Sequence, residues 1–186
     1  RIDNLILLGC GTSFNAGHAS INYFKKMCKF NSVSIFDGAE FDEDDIPKIG
    51  NSAMILISQS GESIDSLMAV RHAKKLGLDT YGIVNVVDST ISREVDKILP
   101  TRAGPEIGVA STKAFTAQLV VLICLAISLG RQNGKLDEDI SNNIHQKILK
   151  IPGIIGKSMN LFEPILPISH KLKNAYSCLF LGRDML

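Results

Sequence analysis

The sequence predicts an α/β fold: a three-layer, doubly wound parallel sheet with helices on both faces. Three observations predict it. Short apolar runs alternate with longer amphipathic segments along the 186 residues. The apolar runs are continuous, as expected of strands that are buried on both faces. Repeated strand–helix alternation implies right-handed crossovers, and the length fits one large domain or a domain with an appendage.

The elements follow from these runs. Strands are predicted at 4–10, 32–37, 53–58, 80–85, 97–100 and 177–182. Helices are predicted at 13–28, 63–76, about 110–130, 137–150 and about 153–174. The acidic segment 37–50 is predicted to be a solvated connection. Its carboxylates do not follow the spacing of a calcium loop, so we expect no metal there.

One short pattern occurs twice. "LILLGCG" at 5–11 resembles "CLFLGRD" at 178–184, with Gly9 and Gly182 in register. Either buried first strands simply look alike, or a second, similar domain begins near residue 177. The sequence alone leaves both readings open.

Composition narrows the class of protein. The chain is 45% hydrophobic and 21% charged, with a net charge of +1, so we expect no electrostatic footprint for nucleic acid or an anionic membrane. The longest apolar run, 119–127, is too short to span a bilayer and predicts a buried helix. The chain opens directly on a predicted strand, so we expect no signal peptide. Four widely spaced cysteines argue against a zinc or redox motif, and indicate reduced thiols in a cytoplasmic protein.

The first strand-to-helix corner is "GCGTSFNAG". Gly9 and Gly11 allow a tight turn, and Thr12 and Ser13 are expected to cap the following helix while offering hydroxyls to a ligand. A dinucleotide fingerprint would need a third glycine where this chain has Phe14. A dinucleotide-dependent oxidoreductase is therefore disfavoured.

The second corner is "SQSGES", residues 58–63. Three serines surround Gly61, and a helix is expected to start at about Ser63. A helix N-terminus offers unpaired N–H groups and the positive end of a dipole. Together with hydroxyl donors, it forms an anion cradle suited to a phosphate monoester. The plainer alternative is a serine-rich helix cap.

The third corner, "AGPEIGVASTKAFTAQL" at 103–119, is polar and leads into the most apolar helix. Gly104 and Gly108 give the loop freedom to lie over a site. Ser111 and Thr112 either cap the helix or close on a ligand that the other two corners hold.

The strings "GCGTS", "SQSGES" and "PEIGVASTKAFT", in this order, resemble the sugar isomerase (SIS) domain family. More narrowly, they are similar to the isomerase half of the glutamine–fructose-6-phosphate aminotransferases. The resemblance runs from Arg1 to about Gly182. It implies a flavodoxin-like SIS fold used twice in tandem behind a glutaminase domain, in a homodimer or larger assembly. On this basis, 1–175 is the first SIS domain and 176–186 begins the first strand of a second.

The resemblance also implies a ligand, fructose 6-phosphate or glucosamine 6-phosphate, and no cofactor. Val109 and Ser111 are expected to contact the sugar chain. Glu106 matches a family acid near the reacting end of the sugar. Family members usually have threonine in place of Ser63. Cys10 and Gly11 are expected to belong to the same substrate-binding set. The residues expected to hold the phosphate and neighbouring hydroxyls are Thr12, Ser13, Ser58, Gln59, Ser60 and Ser63.

The same resemblance limits the expected activity. The family's proton-moving glutamate, ring-opening histidine and Schiff-base lysine lie in the second SIS domain and the C-terminal tail, and none has a counterpart in these 186 residues. We therefore expect binding without catalysis by this stretch alone. The alternative is a non-enzymatic SIS module that binds a phosphosugar as a regulatory ligand.

Overall fold

The computed structural model describes residues 1–108 and 110–182, and it divides the chain into two compact units, Arg1–Glu138 and Asp139–Leu186. The first unit contains a five-stranded parallel sheet with the order β2-β1-β3-β4-β5. Its strands are β1 Asn4–Gly9, β2 Ser32–Asp37, β3 Ser52–Ser58, β4 Asp79–Val84 and β5 Lys97–Pro100. Its helices are α1 Thr12–Met27, α2 Ile64–Lys75, α3 Thr90–Glu94 and α4 Lys113–Gln132.

The sheet has a hydrophobic core on each face, which confirms the predicted three-layer, doubly wound fold. Leu5 and Leu7 of β1 pack in one core with residues of α1 and α4. Ile6 and Leu8 point to the other face, into a core that α2 and α3 close. Because successive strand residues face opposite sides, β1 must be apolar throughout.

The α1–α4 layer depends on glycines that let backbones come close. A Cβ at Gly17 of α1 would lie 2.2 Å from the Ile35 side chain of β2. A Cβ at Gly130 of α4 would lie 2.3 Å from the Met27 carbonyl oxygen at the end of α1. The glycine at position 17 therefore lets α1 pack closely on the sheet, and the glycine at position 130 lets α4 pack closely on the end of α1.

Helix α4 is long and apolar enough, by length and composition, to cross a membrane. In this structure one of its faces belongs to the core, with Leu122, Ala126 and Ile127 fully buried. The helix predicted to be buried at 119–127 is therefore buried along this one face, and the other residues of the run are half-buried.

The second unit is helical. Its elements are α5 Glu138–Leu149, which begins at the last residue of the first unit, α6 Ile151–Ser158, a 3₁₀ turn at Met159–Leu161, and α7 Phe162–Leu172. We predicted one helix over 153–174, but a 3₁₀ turn separates α6 from α7. Most of the large apolar side chains of α6 and α7 are exposed, among them Ile154, Phe162 and Ile168, whereas Ile151 is half-buried.

Three local predictions were wrong or incomplete. Residues 177–182 form no strand: they are exposed and pair with no strand of the described chain. A strand without a neighbour has no ladder of hydrogen bonds to hold it. Helix α3, only five residues long, was missed, as was a 3₁₀ turn at Glu43–Asp45 in the acidic connection. Whether 176–186 begins a second SIS domain stays a prediction, and 183–186 lie outside the described residues.

The close approach at Gly130 can be tested by Gly130→Ala. The added methyl group would collide with a backbone carbonyl that cannot move freely, so we expect the free energy of unfolding to fall by about 1–3 kcal/mol. Chemical denaturation monitored by circular dichroism would measure it. Ser128→Ala, at an exposed position of the same helix, is the matched control. A Gly130→Ala protein as stable as this control would contradict the packing described.

Candidate functional site

A cavity of about 200 Å³ lies at the carboxyl ends of β1 and β3. We call it the cradle. It opens where the chain winds in opposite directions from β1, the topological switch point at which open α/β sheets bind ligands. Its lining consists of Cys10, Thr12, Ser13, Ile57, Ser58, Gln59, Ser60, Ser63, Ser66 and Ser111.

The loop between β3 and α2 has its shape set by its own hydroxyls. The Ser58 Oγ accepts a hydrogen bond from the Gly61 N–H at 2.9 Å, and the Ser60 Oγ accepts one from the Glu62 N–H at 3.3 Å. Each serine acts here as an acceptor, so the hydroxyl hydrogen of each is left to donate elsewhere.

Gly61 lets this loop press against the loop before α3. Its φ is 68°, and a Cβ added there would lie 2.0 Å from the Ser89 Oγ. The Gly61 carbonyl accepts from the Ile91 N–H, and the Glu62 carboxylate accepts from the Thr90 N–H at 2.8 Å. Hydrogen bonds from Thr90 lower the pKa of the Glu62 carboxyl, which favours its ionised form. The short helix α3 thus supports the cradle from behind.

Helix α2 presents an open N-terminus to the cradle. Its N-cap is Ser63, whose side chain makes no capping hydrogen bond. The Ser63 hydroxyl instead lies 3.9 Å from the Cys10 Sγ. The reading of this segment as an ordinary serine cap therefore does not hold for Ser63, and the first N–H groups of α2 remain available to an anion.

The first corner differs from the prediction in one respect. Helix α1 begins at Thr12, with Gly11 as its N-cap at φ 56°, so Thr12 and Ser13 lie inside the helix and cannot cap it. The Cys10 Sγ lies 3.3 Å from the Ser66 Oγ of α2, which ties the first corner to the second.

Ser13 has a partner on a distant helix. Its Oγ accepts a hydrogen bond from the Gln118 Nε2 of α4 at 3.0 Å, across 105 residues of sequence. Sequence reasoning missed Gln118. The available signal was one polar residue on the otherwise apolar stripe Ala114, Leu122, Ala126 and Gly130.

In the third corner, Glu106 caps α4. Its carboxylate accepts from the Thr112 N–H at 3.0 Å, the Ala114 N–H at 3.3 Å and the Ser111 hydroxyl at 3.1 Å. These hydrogen bonds, led by the one from the Thr112 backbone, lower the pKa of the Glu106 carboxyl. Glu106 therefore holds Ser111 at the edge of the cradle and occupies the N-terminus of α4.

The beginning of the same loop is fastened by Asn85, at the end of β4. The Asn85 Oδ1 accepts from the Ala103 N–H at 2.8 Å, and its Nδ2 donates to the Gly104 carbonyl at 2.8 Å. Arg102, between these contacts and β5, has a φ of 54°, a conformation that favours glycine. Sequence reasoning did not single out Asn85.

The lining of the cradle is neutral. None of its ten lining residues is a lysine, arginine, aspartate or glutamate. Among the residues that the structure describes, no group of histidine, cysteine and carboxylate side chains is arranged to hold a metal ion. Hydroxyls and helix N–H groups at the cradle can donate hydrogen bonds, and such donors suit a phosphate.

The structure brings most of the predicted residues together. Those that line the cradle are Cys10, Thr12, Ser13, Ser58, Gln59, Ser60, Ser63 and Ser111, and the structure adds Ser66 and Ile57. Gly11 shapes the turn without lining the cavity, and Glu106 lies one hydrogen bond behind it, on Ser111. Val109 lies outside the described residues. The ligand-binding roles stay predictions.

Sequence comparison identifies the family. A sequence model of the SIS domain matches residues 1–128. The chain belongs to the SIS domain family. It is 38% identical over 184 residues to the glutamine–fructose-6-phosphate aminotransferase (isomerizing) of Rhizobium meliloti strain 1021, and 38% identical over 182 residues to that of Bradyrhizobium diazoefficiens. Each alignment covers 98% of this chain and 30% of the relative, so this SIS chain spans under a third of their length.

Solved SIS structures agree with this assignment. The C-terminal domain of glucosamine-fructose-6-phosphate aminotransferase from Francisella tularensis matches with a TM-score of 0.93 and 32% identity, over 99% of this chain and 52% of that one. A glucosamine-6-phosphate deaminase from Thermotoga maritima matches with a TM-score of 0.63 and 27% identity, over 75% of this chain and 43% of that one.

Gly61→Ala tests the support of the cradle by α3. The new methyl group would overlap the Ser89 side chain and force an alanine to a positive φ, so we expect unfolding free energy to fall by about 1–3 kcal/mol. Thermal or chemical denaturation measures it. Adding Ser89→Gly should recover part of the loss. Gly108→Ala, where a Cβ has its nearest contact at 3.6 Å, is the control. Equal stability of the two single variants would contradict the contact.

Glu106→Gln tests the cap of α4. Because the folded-state pKa of Glu106 is lowered, its carboxylate stabilises the fold above the usual glutamate pKa of about 4.3, and that stabilisation is lost as the pH falls through the folded-state pKa. We expect Glu106→Gln to melt lower than wild type at pH 7, with the difference shrinking below pH ~4. Glu40→Gln, at an exposed carboxylate, is the control. A melting difference that does not change with pH would contradict this role.

Proposed function

We propose that this chain is the first SIS unit of a glutamine–fructose-6-phosphate aminotransferase, and that the cradle holds the phosphate of fructose 6-phosphate. The observation that carries the proposal is the set of hydroxyls around the open N-terminus of α2. Ser58, Ser60 and Ser63 line one cavity together with Thr12 and Ser13. The identity of the sugar is inferred from the names of the relatives, which are fructose-6-phosphate aminotransferases.

The direction of the internal hydrogen bonds supports a phosphate ligand. In the second corner, Ser58 and Ser60 accept from backbone N–H groups, so their hydrogens can point towards ligand oxygens. A phosphate monoester is an acceptor with three charged oxygens, and it matches such a set of donors. An uncharged hydroxyl group would gain much less from the same site.

The proposal extends to the whole protein. The matched part of the Francisella tularensis domain is about half of that chain, which leaves room for a second unit of similar size. We propose that the second SIS unit and the glutaminase domain supply the catalytic groups, in a cytoplasmic homodimer or larger assembly. Glu106 is then a residue that positions Ser111, since its carboxylate is engaged with the start of α4.

Calorimetry on this chain tests the proposal. We expect fructose 6-phosphate or glucose 6-phosphate to bind, and fructose to bind at least ~10-fold more weakly, because hydrogen bonds to charged groups contribute about 1.5–3 kcal/mol each. Ser60→Ala should weaken fructose 6-phosphate binding about tenfold. Ser128→Ala, on the exposed face of α4, should not.

Fructose that binds as tightly as its phosphate would overturn the assignment of the cradle. A full-length protein that binds the phosphosugar but forms no glucosamine 6-phosphate from fructose 6-phosphate and glutamine would favour the regulatory module instead. Binding of the phosphosugar together with formation of glucosamine 6-phosphate supports the enzyme.

A further inference from the structure

Gln118 reaches the cradle from inside the protein. It lies in the middle of the buried stripe of α4 and is 2% exposed, between Ala114 and Leu122, which are fully buried. Its Nε2 lies 3.0 Å from the Ser13 Oγ. Ser13 lines the cradle and is itself 9% exposed. The pair therefore joins a buried amide to the ligand-facing surface.

A buried glutamine at this position lowers the stability of the fold by more than its packing contacts restore. Burying an amide destabilises a protein unless the amide is hydrogen-bonded. A leucine or methionine would fill similar space without that cost. The side-chain hydrogen bond that the structure gives Gln118 goes to Ser13. The polar residue therefore serves the Ser13 hydroxyl rather than the packing of α4 on α1.

The direction of this hydrogen bond determines what Ser13 can offer a ligand. An amide nitrogen only donates, so the Ser13 Oγ must accept, and its own hydrogen points elsewhere. In the same helix, Ser20 shows the usual alternative, in which the hydroxyl donates to the carbonyl four residues earlier, here Ala16 at 2.8 Å. The lining position of Ser13 leaves the cradle as the direction for its hydrogen.

We infer that Gln118 is a positioning residue, which fixes the Ser13 hydroxyl as a hydrogen-bond donor to the sugar phosphate. This inference rests on the proposed function of the cradle. Helix α4 then acts twice on the site: Glu106 and Ser111 lie at its N-terminus, and Gln118 holds the opposite wall formed by α1.

The test is a double-mutant cycle on this chain, with fructose 6-phosphate as the probe. Gln118→Met keeps the volume but removes the donor, and we expect it to raise the Kd about fivefold, as loss of one hydrogen bond predicts. In a Ser13→Ala background the same change should leave the Kd nearly unaltered, because the oriented group is already gone. Gln132→Met, at the exposed end of α4, is the matched control.

A reversal of polarity gives a second readout. At a pH where the new carboxylate is ionised, Gln118→Glu places only acceptor atoms opposite Ser13, which would draw the hydroxyl hydrogen away from the cradle. We expect a larger rise in Kd than for Gln118→Met, about tenfold or more. The melting temperature of each variant is measured to check that it folds. If the glutamate variant does not fold, Gln118→Met and the cycle decide the question.

An NMR measurement separates this inference from the proposed function. Ser13→Ala should shift the side-chain amide signals of Gln118 and leave those of Gln132 in place, with or without ligand. The positioning role alone is overturned if wild type binds the phosphosugar and Gln118→Met binds it equally well. It is also overturned if Gln118→Met raises the Kd by the same factor in the wild-type and Ser13→Ala backgrounds. Wild type that binds no hexose phosphate overturns both proposals, whatever the amide signals show.

Discussion

The pairing of β1 with both β2 and β3 is the constraint on which the rest of this molecule depends. Gly9, the last residue of β1, lies opposite Asp37 on one side and Ile57 on the other. Because the three strands are parallel and end together, the loops after β1 and β3 must emerge side by side. Their helices leave on opposite faces, so their N-termini converge on one crevice. A site rich in N–H and hydroxyl donors is the direct result.

Around that crevice the protein supports each corner by a different device. Backbone contact with the start of α3 supports the loop at Gly61, and a carboxylate at the start of α4 supports the loop at Ser111. A buried amide supports the corner at Ser13. None of the supporting groups needs to contact the ligand. The arrangement separates residues that bind from residues that keep the binding groups in place, which is the usual requirement for a preorganised site.

The parts predicted from sequence were those that local pattern determines. Continuous apolar runs predicted the five strands of the sheet. The glycine and serine residues at the end of β3 predicted the position of the cradle, because the strand, the turn and the start of the helix are neighbours in the chain. The Gln118–Ser13 hydrogen bond could not be predicted in the same way, since 105 residues separate the partners. The same holds for the Gly61–Ser89 contact. The caps predicted at Thr12 and Ser13 failed because α1 starts one residue after Gly11, a boundary that propensity does not resolve.

The neutral lining of the cradle has a kinetic consequence. With no formally charged side chain among its lining residues, the site attracts an anion through hydroxyl and helix N-terminal partial charges, whose reach is short, so the lining itself adds little electrostatic acceleration to association. Discrimination among anions then falls to shape and to the number of acceptor oxygens that meet a donor.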